Sequence, residues 1–294
     1  MISSKALYSK YFSEYKMNDH ETERLHKVLL DMFIDLKTVF EKNDIQYMMS
    51  GGSLLGTIRH KGFIPWDDDI DIMMLRCEYE KFKNIFSKTL GNKYILAEPL
   101  RTSKYYSKAP KVYKKGTEYV EIPTAGIDSL QMVFIDIFII ENIPESMVVR
   151  KAKSILYDIC FKAASVCLDY MYPSPVILEK AKTEQEVRKY YAFRRRLGCI
   201  FSKLGGIKLY LRLCENLSRG KAGSELLGIP SGISYSREIF EKKIFMEIDT
   251  GEFCGEIVSI PRYYDVYLKN LYGDYMVIPP IEKRENHVAV RMKF

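Results

Sequence analysis

The segment Pro65–Met74, with the sequence PWDDDIDIMM, places four carboxylates within five positions and surrounds them with apolar residues. Acidic runs on a solvated surface rarely contain so many apolar residues. Acids and isoleucines alternate at the end of the run, and this period of two predicts a β-strand over residues 67–74. Because successive side chains of a strand point to opposite faces, Asp67, Asp69 and Asp71 would share one face.

Carboxylates that share a strand face repel one another. Two unit charges about 4 Å apart repel by roughly 4 kcal/mol at an effective dielectric constant of about 20. A divalent cation would reverse the sign of this energy, and hard oxygen ligands in a tight cluster suit Mg²⁺. The segment therefore predicts a magnesium site, with a solvated acidic turn as the plainer alternative.

An EF-hand calcium loop is a second alternative for this segment. Asp67, Asp69, Asp71 and Glu78 fall at loop positions 1, 3, 5 and 12, where that motif carries ligands. Position 6 requires glycine for a sharp turn, and Ile72 stands there. The sequence therefore disfavours the EF-hand.

A further acid lies inside the apolar run Val133–Ile140, VFIDIFII, in which Asp136 is the one polar residue. Such a run predicts a buried strand. Acids are almost never fully buried unless they are paired or bind a metal. We therefore favour a catalytic or metal-binding role for Asp136 over a structural salt bridge.

A glycine-rich turn, Gly51–Ser53, precedes the acids and leads into a predicted short helix over residues 54–60 that opens on the serine. Backbone amides at a helix N-terminus bind phosphate, although such a turn often has no ligand. Arg59 and Lys61 would either contact a bound phosphate or cover the end of the helix. The same two interpretations apply to Lys111, on a predicted strand.

The other elements follow from hydrophobic periodicity and from the positions of glycine and proline. Helix and strand alternate through the first half of the chain, and the region from about residue 144 to 219 is mostly helical. The predicted elements are helices over residues 21–42, 78–89 and 263–272, strands over 45–49, 111–122 and 132–140, and helix interruptions at Pro173, Pro175, Gly198 and Gly205–Gly206. We divide the chain into a catalytic core (1–145), a helical region (146–230) and a C-terminal segment that packs back on the core (231–294).

The composition of the 294-residue chain is that of a globular protein, with 47% hydrophobic and 28% charged residues. Residues 1–16 lack the apolar run of an export signal, and no run reaches the roughly 18 apolar residues of a spanning helix. The six cysteines are dispersed, without a C-x-x-C pair or a nearby histidine, which argues against a zinc site. We therefore expect a cytoplasmic protein with reduced thiols.

Residues 187–213 mix basic and apolar side chains and include the cluster Arg194–Arg196. The net charge of +7 points to anionic partners without naming them. A helix on a membrane surface has this composition, and so does a solvated helix packed on the core. We weigh the two equally, and the first would mean peripheral contact with the inner face of the cell membrane.

Several motifs combine into a longer pattern: Gly51–Gly56 (GGSLLG), Arg59–Asp71 (RHKGFIPWDDDID), Phe134–Phe138 (FIDIF), Tyr272–Met276 (YGDYM), and Pro279–Pro280 followed by Arg284 and His287. Together they resemble the LicD family of phosphotransferases, which are relatives of fukutin and fukutin-related protein within the nucleotidyltransferase superfamily. The motifs bracket nearly the whole chain, while residues 145–230 carry little of the resemblance.

The resemblance implies an α+β protein: a mixed β-sheet core of the nucleotidyltransferase fold, flanked by helices, with a mostly helical middle region. It also implies residue roles. Gly52 and Ser53 would bind the donor phosphates. Asp69 and Asp71 would be the metal ligands, and Asp136 would be the third catalytic acid. The gap between the Gly-Ser pair and the acids is slightly longer than in the wider superfamily but is typical of this branch.

Four further residues are candidates for substrate binding: Asp67, Asp274, Arg284 and His287. Asp274 follows a glycine, and Gly-Asp is also common in turns. A lone histidine such as His287 is more often a packing or hydrogen-bonding residue. Both interpretations therefore stay open for these two positions.

The activity implied by the resemblance is the transfer of phosphocholine, or a similar phosphate-linked group, from a CDP-linked donor to a sugar hydroxyl with Mg²⁺ or Mn²⁺. The acceptor would be a cell-surface glycan, such as teichoic acid or a capsule, or its lipid-linked precursor. Nucleic acid is not an expected partner. Two alternatives stay open: a nucleotidyltransferase that leaves the nucleotide on its acceptor, and a catalytically inactive scaffold of the same fold.

Overall fold

The structure, a computed structural model, describes residues 4–280, 284 and 288–294. The helices are α1 (Ser4–Tyr11), α2 (Asp19–Lys42), α3 (Gly51–Arg59), α4 (Arg76–Thr89), α5 (Met147–Met171), α6 (Pro175–Thr183), α7 (Gln185–Lys203), α8 (Gly206–Ser218), α9 (Lys243–Met246) and α10 (Tyr264–Tyr272). The strands are β1 (Met48–Met49), β2 (Asp71–Leu75), β3 (Tyr94–Ala97), β4 (Lys111–Lys114), β5 (Glu118–Glu121), β6 (Phe134–Asn142), β7 (Leu226–Gly228), β8 (Ile239–Glu241), β9 (Ile248–Phe253), β10 (Glu256–Pro261) and β11 (Ala289–Lys293).

The central sheet has the order β1-β2-β6-β4-β3, and β2 and β6 run parallel. The other neighbours along this order are antiparallel, and β7 and β8 extend the sheet from the end of β6. The sheet is therefore mixed, and α2, α3 and α4 pack against it, which confirms the predicted α+β class. Among the described residues, no helix is long and apolar enough to cross a membrane.

Helix α2 covers the sheet because its apolar residues recur every three or four positions and form one buried stripe from Leu25 to Phe40. Asn18 caps the N-terminus: its side chain accepts a hydrogen bond from the Glu21 N–H, and the Glu21 carboxylate accepts one from the Asn18 N–H. The helix ends at Lys42, and the prediction over residues 21–42 is confirmed.

Strand β2 is shorter than predicted, because the strand over residues 67–74 begins only at Asp71. Its parallel pairing with β6 starts where Asp71 meets Asp136, and its antiparallel pairing with β1 covers only Ile72 and Met73. Residues 67–70 precede both pairings, so they form an irregular segment instead of a strand.

Two other predictions are wrong for reasons that the structure shows. The strand over residues 111–122 splits into β4 and β5, because the chain turns at Gly116, which has a left-handed φ of 83°. Gly198 does not interrupt α7. A Cβ at Gly198 would lie 2.0 Å from the carbonyl oxygen of Val166 on α5, so the glycine allows α5 and α7 to pack closely.

The remaining predicted helices are confirmed: α4 and α10 lie where periodicity places them, and α5 to α8 fill the helical region. The C-terminal segment contributes Phe240, Phe245, Tyr267 and Leu268 to the same apolar core as β2 and β6. The segment thus packs on the first part of the chain. The two boundaries between the three predicted parts stay a prediction.

Candidate active site

A cavity of about 580 Å³ opens where the N-terminus of α3, the start of β2 and the end of α10 meet. Its size is typical of small-ligand sites, which occupy about 300–1,000 Å³. Most of the predicted site residues line it: Gly52, Arg59, Asp67, Asp69, Asp71, Asp274 and Arg284. Further polar and aromatic residues complete the wall: Trp66, Arg237, Glu238 and Tyr272.

Three carboxylates converge beside this cavity. The sheet register pairs Asp71 with Asp136 on the parallel neighbour, and one carboxylate oxygen each of Asp69, Asp71 and Asp136 lie within 4.8 Å of one another. Burial, followed by the charges of Asp69, Asp136 and Asp67, raises the pKa of Asp71 well above its ordinary value. A divalent cation at the shared point would relieve this repulsion. The fold thus brings together the three acids predicted to be catalytic.

The side chains of the acidic segment still point alternately toward and away from the cavity, although residues 67–70 are not a strand. Asp67 and Asp69 line the cavity, whereas Asp68 is buried outside the cavity wall and accepts a hydrogen bond from the Tyr119 hydroxyl. Oxygens of Asp67, Asp68 and Asp69 also lie within 4.8 Å of one another. Asp68 is buried away from the cavity, whereas Asp69 and Asp71 both line it, so the group of Asp69, Asp71 and Asp136 is the better candidate for a metal.

Lys111 forms an ion pair with Asp136, the third acid of this group. Strand β4 places it opposite Asp136, and its Nζ lies 3.1 Å from Asp136 Oδ2 and 3.3 Å from the centroid of the Phe134 ring. Burial, the largest single effect, lowers the pKa of Lys111, but Asp136, Glu121 and Tyr113 together outweigh it, and the pKa is raised. The ammonium therefore stays charged and compensates one of the three carboxylates. Lys111 is not among the residues that line the cavity.

Helix α3 brings its N-terminus against the acids and begins at Gly51, earlier than the predicted start. A Cβ on Gly52 would lie 2.5 Å from Asp67 Oδ2, and one on Gly51 would lie 2.9 Å from Asp71 Oδ2. A larger residue at either position would force one of these carboxylates to move, and the positive φ of 49° at Gly51 also favours glycine. Gly51 and Gly52 line the cavity, and backbone amides at a helix N-terminus can bind an anion.

Ser53 holds the backbone of the acidic segment in place through a hydrogen bond. It is buried on α3, and its Oγ accepts a hydrogen bond of 2.8 Å from the Asp71 N–H. The Thr57 hydroxyl in turn donates to the Ser53 carbonyl. The serine thus fixes the start of β2 to α3, and Gly52 is the member of the pair that lines the cavity. Phosphate binding by Ser53 stays a prediction.

Two of the three arginines that line the cavity, Arg59 and Arg284, were predicted from the sequence, and protein groups contact both. Arg59 Nη1 donates to the Tyr275 carbonyl at 2.6 Å, which ties α3 to the C-terminal segment. The Arg284 guanidinium carbon lies 4.1 Å from the centroid of the Trp66 ring. Lys61 is exposed and is not part of the cavity wall. Of the predicted cations, Arg59 and Arg284 therefore face the site.

The sequence analysis missed a wall of the cavity formed by residues 232–238. Glu238 is only 3% exposed, and its carboxylate accepts hydrogen bonds from the Ile233 N–H at 2.7 Å and the Tyr267 hydroxyl at 2.8 Å. Burial raises the pKa of Glu238. No local pattern marks this segment, because it reaches the cavity only through the fold. His287, a predicted substrate-binding residue, lies outside the described residues.

Comparison with known proteins identifies the family of the chain. Residues 44–166 match the family model described as LicD/FKTN/FKRP, nucleotidyltransferase domain. The chain is 30% identical over 268 residues to the lipopolysaccharide cholinephosphotransferase LicD of Haemophilus influenzae. The aligned region covers 88% of this chain and 91% of that protein. An uncharacterized protein of Rickettsia typhi is 33% identical over 79 residues, which cover 26% of this chain and 24% of that protein. The chain therefore belongs to the LicD family of phosphotransferases.

Proposed function

We propose that the protein transfers phosphocholine, or a similar phosphate-linked group, from a CDP-linked donor to a sugar hydroxyl of a cell-surface glycan or of its lipid-linked precursor. One observation carries the proposal: three carboxylates converge beside a cavity of about 580 Å³ that the N-terminus of α3 also lines, in a chain 30% identical to a cholinephosphotransferase. The cavity is large enough for a nucleotide-sized ligand.

The donor diphosphate would lie against the first turn of α3. Its oxygens would accept hydrogen bonds from the backbone amides that Gly51 and Gly52 leave uncovered, and the positive end of the helix dipole favours the anion. Arg59 and Arg284 add positive charge to the same cavity. These groups would hold the donor in one orientation, which is the main requirement for a phosphoryl displacement.

The donor set fits a divalent cation. Asp69 and Asp71 offer hard oxygen ligands, and burial, followed by the charges of the neighbouring acids, raises the pKa of Asp71, an effect that a bound cation would offset. We propose that these two residues hold Mg²⁺ or Mn²⁺. When bound, the ion would offset the charge of the acids and of the donor diphosphate as CMP departs.

Asp136 is the chain's candidate for activating the acceptor. The sugar hydroxyl oxygen would form a bond to the phosphorus of the transferred group, the bond from that phosphorus to CMP would break, and the hydroxyl proton would pass to Asp136. Lys111 Nζ lies 3.1 Å from Asp136 Oδ2. The pairing would hold the Asp136 carboxylate in one orientation.

Release of CMP from a panel of CDP-linked donors tests the proposal. With a glycan acceptor and Mg²⁺ present, we expect CMP to accumulate with CDP-choline or with a close analogue. Chelation of divalent cations should stop the release, and return of Mg²⁺ should restore it. Full turnover after thorough chelation would exclude the metal-dependent mechanism, and no release from any CDP-linked donor would exclude the donor class.

A further inference from the structure

Helices α5, α7 and α8 leave large apolar side chains exposed, although α5 packs against both of the other helices. On α5, Val148, Ile155 and Ile159 are 79%, 53% and 53% exposed. The same spacing of seven and four residues recurs at Phe193, Ile200 and Leu204, which are 42%, 54% and 66% exposed. Residues so spaced lie on one side of a helix, so each set forms a stripe that the fold does not cover.

The charges beside these stripes have one sign. The exposed charged residues of the three helices are eight cations and a single acid. The cations are Lys151, Lys162, Arg188, Lys189, Arg196, Lys203, Lys208 and Arg212. The acid is Glu186, which already accepts hydrogen bonds from Lys10 and Tyr11. We call these exposed cations and apolar residues of α5, α7 and α8 the basic–apolar surface.

The arginine cluster of α7 does not act as one unit. Arg194 points inward, where its Nε lies 2.5 Å from Asp169 Oδ2 and its Nη2 donates to Ser165 Oγ at 2.6 Å. Arg195 is half-buried, and Arg196 is exposed. A ligand of this surface would therefore meet Arg196 and the other exposed cations of the three helices but not Arg194.

We propose that the basic–apolar surface binds an anionic lipid bilayer. Apolar side chains flanked by lysine and arginine suit an interface in which the stripes enter the acyl boundary and the cations meet lipid phosphates. A second copy of the chain would bring cations against cations, so the charge disfavours self-association through this surface. The contact would hold the chain beside a lipid-linked acceptor, a consequence that rests on the proposed function. Vesicle binding itself does not rest on it.

Vesicle sedimentation tests the proposal with matched variants. The parent protein should sediment with phosphatidylglycerol-containing vesicles and stay in solution with pure phosphatidylcholine vesicles. The variant R196Q/K203Q/K208Q/R212Q should lose on the order of 100-fold or more in partition coefficient, since each cation near such a surface contributes substantially to binding. The control K27Q/K42Q/K88Q/K293Q removes four exposed lysines from elsewhere and should bind within a few-fold of the parent. The variant I155S/I159S should also bind weakly, because its stripe is lost.

Three results would overturn the proposal: no binding of the parent to anionic vesicles, equal binding by the α7–α8 cation variant, or equal loss in the control. A dimer in sedimentation velocity that I155S/I159S abolishes would assign the surface to a second copy instead. Circular dichroism confirms that each variant is folded, as expected for substitutions at exposed positions. Asp71→Asn should keep full vesicle binding, so a failed transferase assay leaves this proposal separately testable.

Discussion

Asp136 differs from Asp69 and Asp71 in its neighbours. Asp69 and Asp71 line the cavity, whereas Asp136 comes from β6 and is paired with Lys111. Replacing Asp69 or Asp71 by Asn should weaken Mg²⁺-dependent donor binding and abolish turnover, because it removes charge that the metal requires. Replacing Asp136 by Asn should largely preserve donor binding while the chemical step slows by roughly 10²- to 10⁴-fold.

Calorimetry with CDP-choline and single-turnover kinetics together distinguish these roles. Equal loss of metal and donor affinity in the Asp69 and Asp136 variants would make Asp136 a third metal ligand, and the base would have to be another group. Retained turnover in all three variants would show that the activity does not depend on these acids and would contradict the proposed site. The informative quantity is therefore the difference between the loss of donor affinity and the loss of the single-turnover rate in each variant.

Ser53 offers a second test at the level of one hydrogen bond. Ser53→Ala removes the acceptor of the Asp71 N–H and leaves a polar group unpaired in a buried setting, at a cost of roughly 1–3 kcal/mol in unfolding free energy. Ser87→Ala on the exposed face of α4 is the matched control and should change stability by less than about 0.5 kcal/mol. Urea denaturation of both variants measures the difference. Equal unfolding free energies for the two variants would show that the Ser53 hydrogen bond does not stabilise the start of β2.

Individual site residues were predictable where a carboxylate lies among apolar residues, because burying its charge costs free energy. Asp136 stands alone in an apolar run, and the acids of residues 67–71 are crowded among apolar residues, so both needed a compensating charge. Ser53 and Glu238 had no such local signal. Their partners, the Asp71 amide and the Tyr267 hydroxyl, are set by contacts between distant segments.

Among the secondary-structure elements, α5 and α7 depend on one glycine. Gly198→Ala would gain up to about 1 kcal/mol in helix propensity, but its Cβ would lie 2.0 Å from the Val166 carbonyl oxygen. Overpacking of this kind costs typically about 1–3 kcal/mol, so a lower melting temperature is expected. Asn216→Ala, at an exposed position of α8, should instead raise stability by a few tenths of a kcal/mol. A more stable Gly198→Ala protein would contradict the close packing of α5 and α7.

Elements were predictable when their own sequence determined them. The buried stripe and the cap at Asn18 define α2 without reference to the rest of the chain. The start of β2 was not predictable, because its length depends on where β1 and β6 pair with it. The prediction that Gly198 interrupts a helix was wrong for the same reason, because the role of this glycine depends on its contact with α5.

For the whole molecule, all six cysteines are free thiols, and Cys77 and Cys254 are the exposed ones. Under native conditions without reductant, these two should react with a maleimide first, and all six should react after denaturation. Cys254 is exposed as a residue, but partial burial of its sulfur raises the pKa of the thiol, so less thiolate is present at neutral pH and its labelling should accelerate as the pH rises. Mass spectrometry of labelled peptides measures this order. Fewer than six reactive thiols after denaturation would indicate a disulfide.

The most direct test of the account is the fate of the two halves of the donor. CDP-choline labelled separately in the choline and in the cytosine moiety is incubated with Mg²⁺ and a glycan acceptor. We predict that the choline label enters the glycan through a phosphodiester while the cytosine label is recovered as CMP, and that Asp71→Asn abolishes both. Cytosine label on the acceptor would show nucleotidyl transfer and contradict the proposed reaction, and undiminished transfer by the Asp71→Asn variant would contradict the proposed site.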